Sequence, residues 1–384
     1  MRFEWATPTR VLFGAGALQE TGPIARSLGK RALLVVGRSR DRATALLDVL
    51  DQHGVVGVVF SVKGEPSLAA VREGTMRAKV EACDLVIGFG GGSAIDAAKA
   101  IAALLANGGD PLDYVEIVGR KQPLTRRPVP WIAIPTTAGT GAEVTRNAVL
   151  TSPEHKLKVS LRSPLLPAPA AIVDPDLLAS LPPEVIAAGG VDAFTQLVEP
   201  FVSGRANPLT DALCREGLGR SARSLKRAYG GDFDAATRED LALASLFGGL
   251  ALSNAGLGAV HGFAAAIGGA FGAPHGAVCA ALLATTMEVN WRALATRAPS
   301  NAALPRYAEI AAIVTGRAGA SIDEGIVWVR ALCAALHIPG LTRWGVTDAD
   351  VEALVAKARN ASSMRGNPIE LADDELAEIL TRSL

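Results

Sequence analysis

Histidine is scarce in this chain, yet two of the five histidines fall in one glycine-rich neighbourhood. His261 lies in AGLGAVHGFAAAIGG and His275 in FGAPHGAVCA. Upstream, Asp192 and Gln196 are four residues apart, so on a helix both side chains lie on one face. Asp192 with His261 and His275 offers one carboxylate and two imidazoles, a set suited to a divalent iron or zinc ion with an open position. The alternative is that the histidines are ordinary core residues.

A glycine loop follows the predicted buried strand CDLVIGFGGG (83–92) and precedes a predicted helix. Backbone without Cβ atoms can approach a diphosphate there, and a helix N-terminus offers free N–H groups and a partial positive charge. The residues expected to bind this anion are Gly90, Gly91, Gly92 and Ser93. Ser93 and Asp96 also have the spacing of a capping box, so helix capping is the alternative explanation of those two residues.

A second loop, IPTTAGTGAE (134–143), places three hydroxyl groups directly after another predicted strand. Thr136, Thr137 and Thr140 can bond to a ribose, a phosphate or the carboxamide of a nicotinamide. A threonine-rich turn solvated at the edge of the sheet is the alternative. The two loops together favour a nucleotide site.

Composition narrows the class of partner. Lys plus Arg and Asp plus Glu both number 38, so no net field steers the chain toward nucleic acid or an anionic membrane. The apolar stretches end well short of the ~20 residues that a membrane span requires. We therefore expect a small-molecule substrate and no nucleic-acid or membrane partner.

The N-terminal segment and the cysteines lead us to expect a cytoplasmic protein. The start, MRFEWATPTRVLFG, is not typical of a signal or transit peptide. The four cysteines lie far apart without C-x-x-C spacing, which favours buried thiols over disulfides or a thiolate metal site; they are Cys83, Cys214, Cys279 and Cys333.

The chain divides into two parts with different sequence patterns. The first part alternates short apolar runs with helical stretches, which is typical of βαβ units around a parallel sheet. After Pro182, Ala-, Leu- and Gly-rich helical segments take over. The prediction is an α/β, Rossmann-like dinucleotide-binding domain over 1–181 and an all-α metal and substrate domain over 182–384. The two prolines of SLPPE (180–184) mark the boundary, since proline favours the first turn of a helix.

Several segments together resemble the iron-containing, or group III, alcohol dehydrogenases. They are GGGSAIDAAKAIA (90–102), IPTTAGTGAEVTRNAVL (134–150), AIVDPDLLASLPP (171–183), GGVDAFTQLVEPFVSG (189–204) and NAGLGAVHGFAAAIGGAFGAPHGAVCA (254–280). The resemblance runs from TPTRVLFGAGAL (7–18) to GNPIEL (366–371). It implies a dehydroquinate synthase-like architecture, in which a nucleotide-binding domain precedes a helical one.

The resemblance also implies roles for individual residues. It makes Gly90 to Ser93 and Asp96 the diphosphate loop and helix, with Thr136, Thr137 and Thr140 on the nicotinamide side. Lys158 corresponds to a lysine that contacts the cofactor ribose. Asp192, His261 and His275 correspond to metal ligands, through which they would be catalytic.

Two positions depart from the family pattern. Gln196 stands where a histidine ligand is usual, and Ala265 stands where another histidine is common. Either the Gln196 carbonyl oxygen joins the metal ligands, or Gln196 bonds to water or substrate and the metal occupancy is low. Ala265 removes a proton carrier, so the proton has to leave through water, ribose or another group.

The expected function is hydride transfer between NAD or NADP and a small alcohol, aldehyde or ketone, assisted by Fe²⁺ or Zn²⁺. Three alternatives stay open: a metal-independent reductase similar to maleylacetate reductases, a lyase or cyclase of the dehydroquinate synthase type, and a nucleotide-binding protein without activity.

Two finer expectations concern the cofactor and the assembly. Gly37, Arg38 and Ser39 stand where an acidic residue would exclude a 2′-phosphate, which favours NADP, although a solvated arginine is equally ordinary there. The early segment TRVLFG is expected to be an unpaired strand that pairs across a homodimer, which the resemblance also suggests.

Overall fold

The computed structural model describes residues 2–7, 10–37 and 41–384. The strands in this part of the chain are β1 (Val11–Phe13), β2 (Arg31–Val36), β3 (Val56–Ser61), β4 (Leu85–Gly90), β5 (Trp131–Pro135), β6 (Asn147–Ser152), β7 (Leu157–Arg162) and β8 (Ala170–Val173).

The α-helices belong to two sets. Those before residue 181 are α1 (Thr21–Leu28), α2 (Thr44–Gln52), α3 (Leu68–Val80), α4 (Gly92–Asn107) and α5 (Pro111–Tyr114). Those after it are α6 (Pro183–Val202), α7 (Pro208–Tyr229), α8 (Ala235–Ala255), α9 (Ala259–Phe271), α10 (His275–Arg297), α11 (Ala303–Thr315), α12 (Ile322–Ala335), α13 (Val351–Arg359) and α14 (Asp373–Thr381).

The chain forms two compact units. One unit comprises Thr7–Thr137 and Gly141–Ser180, and the other comprises Met1–Ala6, Ala138–Thr140 and Leu181–Leu384. We call them the α/β unit and the helical unit.

A six-stranded parallel sheet organises the α/β unit, in the order β1-β8-β5-β4-β2-β3. The middle strands β2, β4 and β5 are buried almost throughout, as expected for parallel strands covered on both faces. Gly88 lets α4 pack closely on β4, because a Cβ there would lie 2.9 Å from the Ala98 Cβ. The predicted Rossmann-like parallel sheet followed by helices is confirmed.

Two features of the α/β unit differ from the sequence-based picture. β1 pairs in parallel with β8, so the expectation that this strand is unpaired was wrong. In addition, β6 and β7 form an antiparallel hairpin that the sequence analysis did not predict. Its turn passes through Lys156, a residue with a φ of 50° in the left-handed region.

Helix α6 lies at the centre of the helical unit, where it packs against α7, α8 and α10. It begins at Pro183 after the N-cap Pro182, where the missing proline N–H is not needed. Its length and apolarity would suffice to cross a membrane, but 83% of the apolar window is buried inside the protein. It is therefore a buried core helix of the helical unit.

Candidate metal centre and nucleotide-binding loops

Helix α6 carries the first two predicted metal ligands. Asp192 and Gln196 are only 1% and 3% exposed, so the polar ends of both side chains lie inside the helical unit. Because they are four residues apart, they lie on one face of the helix. The Gln196 Oε1 lies beside α8, where a Cβ added at Gly248 would be 3.3 Å away.

Helices α9 and α10 bring the two histidines to Asp192. The Asp192 Oδ1 lies 3.3 Å from the His261 Nε2 and 3.9 Å from the His275 Nε2. Close approach of α10 to α6 depends on Gly276, because a Cβ there would lie 2.5 Å from the Ala188 carbonyl oxygen. The structure thus brings together the three residues that the sequence analysis proposed as metal ligands.

Cys279 completes this cluster, which the sequence analysis did not foresee. Its Sγ lies 3.8 Å from the His275 Nε2, one helical turn back along α10. One potential ligand atom from each of Asp192, His261, His275 and Cys279 lies within 4.8 Å of all the others. Cys279 is buried, as its apolar surroundings in the sequence predict. Its spacing of four from His275 is the signal that both side chains share one helix face.

Glu199 is a further residue that the sequence analysis missed. Its Oε2 lies 2.6 Å from the His261 Nδ1, and its Oε1 accepts the Val260 N–H at 2.8 Å. A carboxylate on Nδ1 fixes the tautomer and orientation of an imidazole and leaves Nε2 available to a metal. Glu199 is seven residues after Asp192, a spacing that places both carboxylates on one helix face.

The donor set fits a cation. Among the buried side-chain atoms of the described residues that have no hydrogen-bond partner, three lie here: the Asp192 Oδ1, the His261 Nε2 and the Gln196 Oε1. The first two are 3.3 Å apart but lack hydrogen-bond geometry. Leaving buried polar atoms unsatisfied is costly, and a divalent ion would satisfy both.

The electrostatics around Asp192 also suit a cation. Burial alone would raise the pKa of Asp192, but His275 and His261 outweigh that effect and hold the pKa below its ordinary value. Burial disfavours the charged form of His261, yet Cys279 and Glu199 raise its pKa well above the usual value. Both directions mean that this place stabilises a positive charge beside the Asp192 carboxylate.

In the α/β unit, α4 begins directly after the glycine loop. Its N-cap is Gly91, and no side chain caps the helix. The capping-box explanation of Ser93 and Asp96 is therefore wrong. The first N–H groups of α4 have no intrahelical acceptor, and together with the helix dipole they favour an anion.

The carboxyl ends of three neighbouring strands meet at this loop. A Cβ at Gly90 would lie 3.4 Å from the Gly37 backbone nitrogen after β2, and one at Gly91 would lie 3.2 Å from the Thr137 Oγ1 after β5. The Thr136 N–H donates to the Gly90 carbonyl oxygen at 2.9 Å. The chain order reverses between β2 and β4, and such switch points are where open α/β sheets bind nucleotides.

The other predicted cofactor residues lie elsewhere. Asp96 accepts the Val149 N–H of β6 at 3.1 Å and lies 3.4 Å from the Lys99 Nζ. Burial raises the pKa of the Asp96 carboxyl, and Lys99 opposes that rise. Lys158 on β7 forms an ion pair with Glu65 at 2.5 Å.

Three predicted cofactor residues remain: Thr140, Arg38 and Ser39. Thr140 falls in the short segment Ala138–Thr140 that belongs to the helical unit. Arg38 and Ser39 lie outside the described residues.

Two sequence models of one family match the chain. The first, described as "Iron-containing alcohol dehydrogenase", matches residues 8–175. The second, "Fe-containing alcohol dehydrogenase family, C-terminal", matches residues 186–384. Together they include both loops and all four residues of the candidate metal cluster, Asp192, His261, His275 and Cys279.

Known proteins of similar sequence and structure point the same way. Choline dehydrogenase of Bacillus subtilis strain 168 is 34% identical over 371 residues, which cover 95% of this chain and 90% of that protein. The crystal structure of a 1,3-propanediol oxidoreductase superposes with a TM-score of 0.92 at 32% identity and covers 100% of both chains.

A sulfoacetaldehyde reductase from Bifidobacterium kashiwanohense, solved in complex with NAD+, has a TM-score of 0.87 at 27% identity and covers 100% of this chain and 99% of that one. With both halves matched by the family models, this chain is an oxidoreductase that belongs to the iron-containing alcohol dehydrogenase family.

Proposed function

We propose that this protein is an NAD(P)-dependent, metal-assisted alcohol dehydrogenase that also reduces a small aldehyde or ketone. The observation that carries the proposal is the position of the Asp192 Oδ1, which lies 3.3 Å and 3.9 Å from the nearest nitrogens of two histidines. Membership of an alcohol dehydrogenase family supports the reaction class, and the residues around Asp192 support a metal site at which the reaction would take place.

On this proposal the metal is held by Asp192, His261 and His275, and Gln196 is a further candidate. A divalent ion bound there would act as a Lewis acid on the oxygen of the alcohol or carbonyl group. Glu199 orients His261, and Asp192 and His261 are buried, whereas the His275 side chain is 34% exposed. Fe²⁺ is the metal that the family favours.

The cofactor is assigned to the α/β unit. Gly90, Gly91, Gly92 and Ser93 would bind the diphosphate with backbone N–H groups and the N-terminus of α4. Thr136, Thr137 and Thr140 are assigned to the nicotinamide side. Lys158 is assigned to the cofactor ribose, and Asp96 to the helix that follows the diphosphate loop. A bound nicotinamide exchanges hydride with the substrate carbon by its own chemistry.

We favour NADP over NAD as the cofactor because of the residues at and after Arg38. An arginine followed by Ser39 after β2 suits a 2′-phosphate, whereas an acidic residue would repel it. The contrast should appear as a higher kcat/KM for NADPH than for NADH.

The substrate class is a small alcohol or its carbonyl product. The relatives are named for choline, 1,3-propanediol and sulfoacetaldehyde, a cation, a neutral diol and an anion. Members of this family thus accept substrates of different charge, and the side chains around the metal cluster set the choice. We further propose a cytoplasmic homodimer; β1, at one end of the sheet order, is the strand available for pairing across it.

A turnover panel tests the proposal. Purified protein is assayed for oxidation of NADH and NADPH with aldehydes and ketones of graded size and charge, with and without added ferrous iron. Consumption of reduced cofactor that depends on the carbonyl compound supports the proposal. Absence of turnover under every condition contradicts it.

A metal-independent reductase resembling maleylacetate reductase is the second candidate. Gln196 favours this candidate, because an amide oxygen is a weaker metal ligand than the imidazole nitrogen usual at this position. The Gln196 Oε1 lies beside Gly248 of α8. Elemental analysis of active protein purified without chelators separates the two candidates, since this one requires turnover without bound metal.

A further inference from the structure

We propose that Cys279 is a metal ligand, and that its thiolate takes the place of the imidazole that is missing at position 196. The resulting set of Asp192, His261, His275 and Cys279 suits Zn²⁺ better than Fe²⁺. This inference rests on the proposed metal-assisted function and names the ligands and the metal of the same site.

Two distances within the cluster match those between ligands of one ion, and the other donor atoms lie close to that range. Donor atoms about 2.0–2.3 Å from a zinc ion lie about 3.3–3.8 Å from each other at tetrahedral angles, and an ion held by four such ligands would take the substrate oxygen as a fifth. The Asp192 Oδ1 and His261 Nε2 are 3.3 Å apart, and the His275 Nε2 and Cys279 Sγ are 3.8 Å apart. The widest separation among the four donor atoms stays within 4.8 Å.

The first turn of α10 positions two of these ligands together. His275 is the first residue of the helix and Cys279 is one turn later, so both side chains lie on the face that meets α6. Gly276 between them permits this contact, because its Cβ would lie 2.5 Å from the Ala188 carbonyl oxygen of α6. The short cysteine side chain reaches the cluster from a backbone that is already close.

An independent observation points to a ligand at this place. The Asp192 Oδ1 and the His261 Nε2 are buried and lack hydrogen-bond partners among the described residues, although both side chains are more than nine-tenths buried. A cysteine that served only as an apolar filler would leave both atoms unsatisfied. A cation bound by all four groups satisfies them.

Charge and softness select the metal. Asp192 and the Cys279 thiolate together carry two negative charges, which neutralise a divalent ion, whereas one carboxylate with three imidazoles leaves a net positive charge. A thiolate is a soft ligand that favours zinc or cobalt over the harder ferrous ion. When the metal binds, the thiol loses its proton to solvent and the sulfur lone pair forms the bond to the ion.

The test uses full-length protein loaded with one equivalent of Co²⁺ or Zn²⁺. Thiolate coordination to Co²⁺ gives a charge-transfer band in the near ultraviolet, and X-ray absorption at the zinc edge reports a sulfur neighbour at about 2.3 Å. Cys279→Ser is the test variant. Cys214→Ser, which changes another fully buried cysteine of the helical unit, is the matched control.

We expect the cobalt band and the sulfur neighbour in the wild type and in Cys214→Ser, and the loss of both in Cys279→Ser. We also expect zinc to outcompete ferrous iron in the wild type. Bound metal without a sulfur neighbour overturns the inference, and the wild-type spectrum decides this even if Cys279→Ser does not fold. Absence of bound metal overturns it as well.

Failure of the proposed function gives a different result. If the sulfur neighbour is present but no aldehyde or ketone is reduced, the assignment of Cys279 stands and the catalytic proposal falls. If aldehyde or ketone is reduced but the metal has only nitrogen and oxygen neighbours, the catalytic proposal stands and the assignment of Cys279 falls.

Discussion

The Glu199 Oε2 lies 2.6 Å from the His261 Nδ1, on the side of the ring opposite the nitrogen that faces Asp192. The same carboxylate accepts the Val260 N–H, so it holds both the ring and the first turn of α9. A Cβ at Gly258 would lie 2.9 Å from the Glu199 Oε1, and only glycine leaves room for this arrangement. Glu199 therefore acts on the metal centre through His261.

Glu199→Gln should weaken metal binding while leaving the fold intact. The amide has one acceptor oxygen for the two donors that Glu199 serves, the His261 Nδ1 and the Val260 N–H, and the negative charge that strengthens His261 as a ligand is lost. Changes to such supporting carboxylates lower metal affinity about 10–100-fold. Competition with a chelator measures the loss. Glu309→Gln, which alters an ion pair with Arg215 on the surface, is the control and should leave affinity unchanged.

Gly91→Val should weaken binding of NADH and NADPH without changing the metal content. The added side chain would start 3.2 Å from the Thr137 Oγ1 and fill the space where the backbone approaches the diphosphate. Loss of one hydrogen bond to a charged group costs about 1.5–3 kcal/mol, which raises Kd about tenfold or more. Fluorescence titration of reduced cofactor measures Kd.

The control for that experiment is Gly219→Ala on α7, where a Cβ meets nothing within 4 Å. An unchanged Kd in Gly91→Val would place the diphosphate elsewhere.

Lys99→Met should destabilise the α/β unit. The fully buried ammonium donates to the carbonyl oxygens of Ala142 and Asn147 at 2.9 Å and 2.6 Å, and lies 3.4 Å from the Asp96 Oδ1. Removing one partner of a buried charge pair costs about 3–5 kcal/mol, because the other charge stays buried and unpaired. Urea denaturation measures the change in the free energy of unfolding.

Lys79→Met is the control for Lys99→Met, since Lys79 is exposed on α3 and its loss should change little. A decrease of less than 1 kcal/mol in Lys99→Met would contradict the anchoring role.

Glu143 should make stability fall as the pH rises. Burial raises the pKa of Glu143 from 4.5 to about 7 in the folded protein. Between these pH values the folded state binds more protons than the unfolded state, so the stabilising contribution is complete below pH 4.5 and is lost as the pH passes 7. The loss amounts to about 3 kcal/mol.

Glu143→Gln cannot ionise, so its free energy of unfolding should not show this decline between pH 4.5 and 8. Denaturation curves across that range compare it with the wild type. Glu154→Gln, an exposed position, serves as the control and should follow the wild type. Parallel pH profiles for wild type and Glu143→Gln would contradict the assignment.

The sequence predicted the elements whose patterns are local. The buried runs of β2 and β4 and the alanine-rich α4 are recognisable from composition alone. The β6–β7 hairpin was missed although β6 alternates between buried and half-buried residues, because short alternating runs next to a threonine-rich loop resemble turn sequence.

The candidate metal cluster could be predicted from the sequence only in part. Asp192, His261 and His275 stand out as rare residue types in recognisable motifs. Glu199 and Cys279 have the right helical spacing, but spacing shows only that side chains share a face. Which faces of α6, α9 and α10 meet is decided by tertiary packing, for instance by the close contact at Gly276.

The most direct test of the metal-assisted function is a titration of metal-free protein. Bound metal is removed with a chelator, and Zn²⁺ or Fe²⁺ is then added back in fractions of an equivalent while turnover of NAD(P)H with an active aldehyde is recorded. We predict that turnover vanishes on removal of the metal and returns in proportion to occupancy, reaching its plateau at one ion per chain, and that Asp192→Asn shows no such recovery. Undiminished turnover by the metal-free protein would contradict the account.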